Sequence, residues 1–344
     1  MMGEVQRFLP ARLYTDPRVH HWDCEGYAGR YWHPLAAAAS LPPGHSMALT
    51  LLDQPLLLTR PGDGTPRAFL NRCPHRGVAF QEEQPEPISC RRLICPYHGW
   101  TYNLEGTLMA AAREREFDQP FQRGEWPLTS LPCVVDGPLI WVALQADVTP
   151  LEEQLELVHR EIESLWTQPL HQVRMVQRTL NCNWKIAHDN TLDDYHVAVA
   201  HPTTLHREQG PVRHYRHRFS ALGTLLVTPH ADGGSFHTFG LPPWMHLISW
   251  PEGRIALLEF LPISPETCLM QLRLFASATD GDAAAMDIWL RGLLAFLEED
   301  RQLVESAQRG YRGGFVPGPP HALERRILHW QAIYKKALPQ VMAT

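Results

Sequence analysis

Residues 73–80 read CPHRGVAF and residues 95–100 read CPYHGW. Each segment joins one cysteine to one histidine, two positions apart in the first and three in the second. Structural zinc sites usually pair like with like, sulfur at one end of the motif and nitrogen at the other. Here both pairs are mixed. A two-iron cluster with unlike irons suits that pattern, because each loop can give its cysteine to one iron and its histidine to the other. Pro74, Gly77, Pro96 and Gly99 make both segments turns, as loops must be where backbone amides approach bridging sulfides. Zinc, or two unrelated buried cysteines beside surface histidines, are the competing readings, and the match between the two loops counts against both.

Outward from these loops the chain is written in short strands. MALTLL (47–52), PLLLTR (55–60) and RAFLNR (67–72) are apolar runs, with the turn-forming PGDGTP between the last two, and GPLIWVAL (137–144) reads as a closing strand. The segment 29–147 is therefore expected to be a small all-β domain carrying both Cys/His loops. Cys24, Cys90, Cys133, Cys182 and Cys268 lack such partners and read as core residues.

After Pro150 the texture changes. LEEQLELVHREIESLW (151–166) has helical periodicity, QVRMVQRTL (172–180) reads as a strand, and NWKIAHDNTLDDYHVAVAH (183–201) as a helix. Strands follow at 221–229, 246–250, 254–264 and 268–278, then helices near 283–309 and 321–338. Strands flanked by helices without β–α alternation make the fold class α+β. The expected division is an N-terminal segment 1–28 packing on the second domain, the β domain 29–147, and the second domain 148–344.

Composition excludes some functions. Of the 344 residues 44% are hydrophobic and 20% charged, with a net charge of −6, so no nucleic-acid partner is expected. No run reaches the apolar length of a membrane helix, so no membrane partner is expected. Seven scattered cysteines and no signal-peptide pattern lead to an expected cytoplasmic location.

A second metal site is written into HDNTLDDYHVAVAHP (188–202). His196 and His201 are five apart, which on an ideal helix sets them 140° apart. A π-bulge would bring them together, and Pro202 biases the helix to loosen or end at His201. The helix carrying LLAFLEEDRQLV (293–304) offers a third ligand. Asp300 falls in its apolar stripe with Leu290, Leu293, Leu297 and Val304, while Glu298 and Glu299 point elsewhere. A carboxylate on an inward face costs several kcal/mol unless paired or metal-bound. An ion pair with Arg301 or Arg273 is the bland alternative. His188 and Asp189 read as helix-surface residues, Asp194 as solvated, and Tyr215, Phe236, Phe239, Trp244 and Trp250 as candidate walls of a cation–π cage.

These motifs together resemble the α (terminal oxygenase) subunit of Rieske non-haem iron oxygenases, of the aromatic-ring-hydroxylating dioxygenase superfamily. CPHRG with CPYHGW resembles its Rieske [2Fe–2S] motif, although the 19 residues between His75 and Cys95 are a little long. DDYHVAVAH and EEDRQLVESAQRG resemble its mononuclear iron motifs. The resemblance implies a Rieske domain followed by a helix-grip catalytic domain with a large antiparallel sheet. It implies Cys73, His75, Cys95 and His98 as cluster ligands, and His196, His201 and Asp300 as ligands of one mononuclear Fe(II) per subunit. Asp193, three before His196, would be the electron bridge to His98 of a neighbouring subunit in a homotrimer. The implied partners are O2, a small organic substrate (aromatic, or a quaternary or tertiary amine) and a separate NAD(P)H-dependent reductase, with a ferredoxin as an optional carrier. The sequence has no G-x-G-x-x-G nucleotide loop of its own. The competing class is a non-catalytic electron-transfer or binding protein with a degenerate second domain.

Overall fold

A computed structural model describes residues 7–84, 86–230, 233–277 and 282–343. The first six residues of the N-terminal segment, and Ala278 of the last expected strand, lie outside the described residues. The chain forms two compact units, one of Trp32–Val148 and one made of the stretch up to Tyr31 with Thr149 onward.

The first unit is all β. Its strands are β1 (Trp32–Ala37), β2 (His45–Leu51), β3 (Gln54–Arg60), β4 (Arg67–Leu70), β5 (Ile88–Ser89), β6 (Leu93–Ile94), β7 (Thr101–Tyr102), β8 (Leu108–Ala110), β9 (Ser130–Leu131), β10 (Cys133–Asp136) and β11 (Leu139–Ala143). They make sheets ordered β5-β2-β3-β4-β9, β1-β11-β10 and β6-β7-β8. Leu56, Leu57 and Leu58 are buried on both faces of β3, as a central strand requires. The small third sheet is the support for the second Cys/His loop, which is the β6–β7 connection.

The second unit is built on seven antiparallel strands: β12 (Leu170–Leu180), β13 (Arg216–Phe219), β14 (Thr224–Pro229), β15 (Ser235–Leu241), β16 (Met245–Ser249), β17 (Ile255–Ser264) and β18 (Thr267–Ser277). Their order is β12-β18-β17-β16-β15-β14-β13, a meander closed by the β12–β18 pair. The strand β15 is absent from the sequence reading, because SFHTFGL lacks a polar/apolar alternation and is buried through most of its length.

The expected single helix over 183–201 is two. One runs Trp184–Leu192, capped by the Asn183 side chain, which accepts from the Lys185 N–H at 2.9 Å. The other is a single turn, Val197–Ala200. Between them Asp193 is extended (φ −82°, ψ 104°), so the backbone breaks there with no π-bulge. A packing contact places the break. Leu192 lies against Gly240 of β15, where a Cβ would come within 2.3 Å of Leu192 Cδ2 and 2.7 Å of Thr224 Oγ1. The helix start is held by a buried cluster in which Lys185, Trp184 Nε1 (3.0 Å) and Tyr334 Oη (2.6 Å) all donate to the Asp23 carboxylate.

The helix Ala283–Arg312 begins at Asp282, whose side chain accepts from the Ala284 N–H. It buries Met286, Leu293, Phe296, Leu297 and Val304, and Asp300 belongs to the same face. Among the described residues no helix is long and apolar enough to cross a membrane.

Candidate active site

The two Cys/His loops have the same backbone. In each, the cysteine N–H donates to the carbonyl five residues on, Cys73 to Val78 and Cys95 to Trp100, both at 2.8 Å. The glycine four residues on donates back to the cysteine carbonyl, Gly77 at 2.8 Å and Gly99 at 3.0 Å. Both glycines sit at positive φ, +76° and +67°, a region costly for a side chain. Cys73 and Cys95 are buried, whereas His75 is half-buried and His98 exposed. The imidazoles stand 4.5 Å apart, with His75 stacked on the Trp100 indole at 4.9 Å. His75 Nδ1 is buried and has no protein partner. Two sulfurs at the base and two imidazoles at the rim, one with an orphaned nitrogen, fit a cluster with unlike irons.

In the second unit His196 and His201 flank the one-turn helix, His196 entering it and His201 leaving it with φ −123°. His196 Nε2 is 3.2 Å from His201 Nε2, and Asp300 Oδ1 is 3.4 Å and 2.9 Å from these two nitrogens. Among the described residues this is the one cluster of three or more such side chains that converges on a common point. Burial works against charge on His196, yet the Asp193 and Asp300 carboxylates push its pKa up to about 10. Such a surplus of negative potential around two nitrogens and an oxygen fits a divalent cation. The 2-His-1-carboxylate set, with other positions open, is that of oxygen-activating ferrous iron.

The protein also fixes the ligands from behind. Glu299 accepts from His201 Nδ1 at 2.6 Å and from Thr204 Oγ1 at 2.7 Å, so His201 presents Nε2 to the site. Glu299 thus does not point away, as expected from the helix stripe. Asp193 does not share a helical face with His196. Its Oδ1 accepts from the Tyr195 N–H at 2.7 Å, and its Oδ2 lies 3.5 Å from His196 Nδ1. Arg301 pairs with Glu298 and Glu305, and Arg273 with Glu259, which removes both arginines as partners for Asp300.

Sequence pattern misplaces three groups of side chains. Asp194 is buried, not solvated, and bridges His217 Nε2 (2.8 Å) to Arg326 Nη1 (3.0 Å). His188 and Asp189 are also interior. Asp189 accepts from Tyr14 (2.6 Å), Trp330 (2.8 Å) and Gln331 (3.0 Å), and burial raises its pKa to about 7. Burial lowers that of His188 to about 3. The five aromatics form no single cage. Phe236 lines the cavity beside Asp300, as does Phe296, while Trp244 packs on Trp184 and Trp250 on Phe236 and Trp289.

The comparisons match both domains. Residues 31–126 match the Rieske [2Fe-2S] domain, and residues 167–240 the ring hydroxylating alpha subunit (catalytic domain). The carnitine monooxygenase oxygenase subunit of Escherichia coli (strain K12) is 28% identical over 329 residues, 89% of this chain and 86% of its own. The glycine betaine monooxygenase oxygenase subunit of Chromohalobacter salexigens is 24% identical, covering 90% and 81%.

The two matched domains make the chain a Rieske-type oxygenase.

It is a terminal oxygenase component that activates O2 to oxidise a small organic substrate. The two matched domains imply a Rieske cluster and a non-haem iron, supplied with electrons by a separate reductase. Solved structures share the fold. A quaternary ammonium Rieske monooxygenase described for carnitine oxidation and inter-subunit electron transfer aligns at TM-score 0.86 and 22% identity, covering 97% and 96% of the two chains. Naphthalene 1,2-dioxygenase from Rhodococcus sp. aligns at 0.76 and 18%, covering 95% and 94%.

Within this oxygenase, iron bound by the triad would supply O2 binding and oxidation. The chain's own contribution is positional. Glu299 and Asp193 orient the imidazoles, and Phe236, Ile248, Leu258, Phe296 and Leu297 give the cavity an apolar wall. A side chain of Thr238, Gln209 or Asn190 can then fix a substrate against that wall. Of these three, only Asn190, six before His196, stands out in the sequence, as matching a polar position near iron in part of the family that the chain resembles; Thr238 and Gln209 lie on other elements and carry no such signal.

Proposed function

We propose that this chain removes an N-methyl group from a small quaternary or tertiary amine by oxidative demethylation. Cys73, His75, Cys95 and His98 hold the [2Fe–2S] cluster in the domain 29–147. His196, His201 and Asp300 hold one Fe(II) in the domain 148–344. The observation that carries the reading is the convergence of those last three side chains, from positions up to 104 residues apart in sequence, with their ligand atoms within 4.8 Å of one another. The relatives named for carnitine and glycine betaine support an N-methyl substrate over an aromatic ring.

The reaction balances as a monooxygenation. One atom of O2 enters a methyl C–H bond and gives an N-hydroxymethyl cation. The other atom leaves as water, taking up two electrons and two protons. The C–N bond then breaks, the hydroxyl proton passes to nitrogen, and formaldehyde and the protonated amine are released. The electrons come from an NAD(P)H-dependent reductase, directly or through a ferredoxin, in the cytoplasm. The working assembly is a homotrimer in which Asp193 connects the iron histidine His196 to His98 of a neighbouring subunit. A heterologous ring of this kind closes by three-fold rotation. The test is substrate-dependent O2 uptake with stoichiometric formaldehyde, using iron-loaded protein, NADH and a surrogate reductase. A diol from an aromatic substrate, with no formaldehyde from any methylamine, would overturn the reading. Asp193→Asn should keep both metals and slow single-turnover oxidation of the reduced cluster, and a monomer active at full rate would overturn the trimer.

A further inference from the structure

The cavity beside the triad carries more chemical information than its shape. Its lining includes three carboxylates, Asp193, Asp194 and Asp300, and among the described residues that line it there is no lysine or arginine. Arg326 lies behind the wall, fully buried, with its guanidinium committed to Asp194, to the Thr238 carbonyl (2.9 Å) and to Thr224. Counting a ferrous ion against Asp193 and Asp300, and Arg326 against Asp194, leaves no surplus positive charge. A substrate carboxylate entering here would be desolvated without a cationic partner. A cation meets the rings of Phe236 and Phe296 and the field of the carboxylates instead.

The same wall carries neutral polar groups in need of partners. Thr238 is buried, and its Oγ1 has no hydrogen-bond partner. Gln209 is 3% exposed. Tyr215 donates its single hydroxyl proton to Gln209 Oε1 at 2.8 Å. That bond sets the amide orientation and leaves Nε2 as a donor without a partner among the described residues. Thr191, by contrast, is already spent, donating to the Ala187 carbonyl at 3.1 Å.

We propose that the substrate is a small N-methylated cation bearing a neutral hydrogen-bonding oxygen, a hydroxyl, ether or amide, and no carboxylate. Gln209 Nε2 and Thr238 Oγ1 hold that oxygen, and the ammonium group rests between Phe236 and Phe296 with one methyl directed to the triad. This inference rests on the demethylase reading and narrows it. Carnitine and glycine betaine both carry a carboxylate, so the chain is set apart from the relatives named for them.

The experiment compares choline, glycine betaine and tetramethylammonium as substrates of the holoenzyme with its surrogate reductase. Formaldehyde release gives kcat/KM and calorimetry gives Kd. Choline and glycine betaine differ only in a hydroxymethyl group against a carboxylate, and kcat/KM for choline should be higher by about 30-fold or more, since an unpaired buried charge is rejected strongly. In Gln209→Leu the choline-to-tetramethylammonium ratio of kcat/KM should fall ~10-fold, because only choline has an oxygen to lose a donor. Thr238→Val should lower the same ratio, while a packing defect alone would not change it. Equal or better use of glycine betaine overturns the inference and leaves the demethylase reading intact, since formaldehyde still appears. An unchanged ratio in both variants overturns the assignment of the oxygen-binding pair. Formaldehyde from none of the three compounds overturns this inference, while the demethylase reading falls only if no methylamine gives formaldehyde.

Discussion

The two metal-binding regions reach their geometry by opposite routes. In the Cys/His region all four candidate ligands fall within 26 residues, on two loops with the same hydrogen-bond pattern and the same left-handed glycine. Nothing lies within 4 Å of a Cβ built on Gly77 or Gly99, so what selects glycine there is the backbone itself. In the triad region the candidate ligands come from a broken helix and from a helix about 100 residues later. What selects Gly240 there is a neighbour: a Cβ would collide with Leu192. The first site is a local fold repeated, and the second is a product of packing. Local motifs are therefore expected to survive damage elsewhere, and packed sites to fail through residues that touch no ligand.

The largest effects should separate the sites completely. Cys73→Ala should abolish the Rieske EPR signal and leave mononuclear iron in place. Asp300→Ala should lose mononuclear iron and all turnover while the cluster spectrum stays intact, as metal analysis on the same samples will tell. Loss of both metals in either variant would break the comparison.

Glu299→Gln comes next. It removes the charge behind His201 without touching the ligand atoms, and should weaken iron binding by about 10–100-fold, measured by chelator competition. The cluster signal should not change. Iron affinity equal to the parent would mean that His201 is held by packing alone.

The two glycines sharpen the contrast further. Gly240→Ala forces Leu192 and Thr224 apart in a filled core and should cost about 1–3 kcal/mol, with reduced iron occupancy, since Leu192 immediately precedes the break at Asp193. Gly99→Ala meets only backbone strain, roughly 1–2 kcal/mol, and should affect cluster retention alone. Thermal melts with iron and cluster quantified will rank them; iron loss in Gly99→Ala would contradict the division.

The last effect is read against pH and concerns Asp189. Its pKa in the folded chain is raised to about 7, against about 3.9 when unfolded. Between these values the folded state binds more protons, so this residue's contribution to stability is full below about pH 4 and is lost as pH rises to about 7. Asp189→Asn should flatten that part of the stability–pH curve, followed by denaturant melts. An unaltered slope would mean that the Tyr14, Trp330 and Gln331 donors keep the carboxylate ionised throughout.

Much of this protein is written locally. The mixed Cys/His pairs, their turn residues and the five-residue spacing of His196 and His201 are adjacent in sequence, so chemistry and spacing identify them without a fold. Asp300 is legible because one acid interrupts an apolar stripe, and that stripe is a periodic, local signal. The apolar runs at 47–52, 55–60 and 67–72 lie on β2, β3 and β4, since each short run is bounded by turn residues. The tertiary structure decides the rest. Helical periodicity predicts a continuous helix over 183–201, but the seat of Leu192 against Gly240 ends it at Asp193. Periodicity puts Asp194, His188 and Asp189 outside, whereas the C-terminal helix Arg325–Ala337 covers them with Arg326, Trp330 and Gln331. Glu299 faces away on a helical wheel because the wheel has no information about Thr204 or His201. Burial of a polar group depends on which distant element arrives with its partner, and that arrival is a property of the packed chain, absent from any window of sequence.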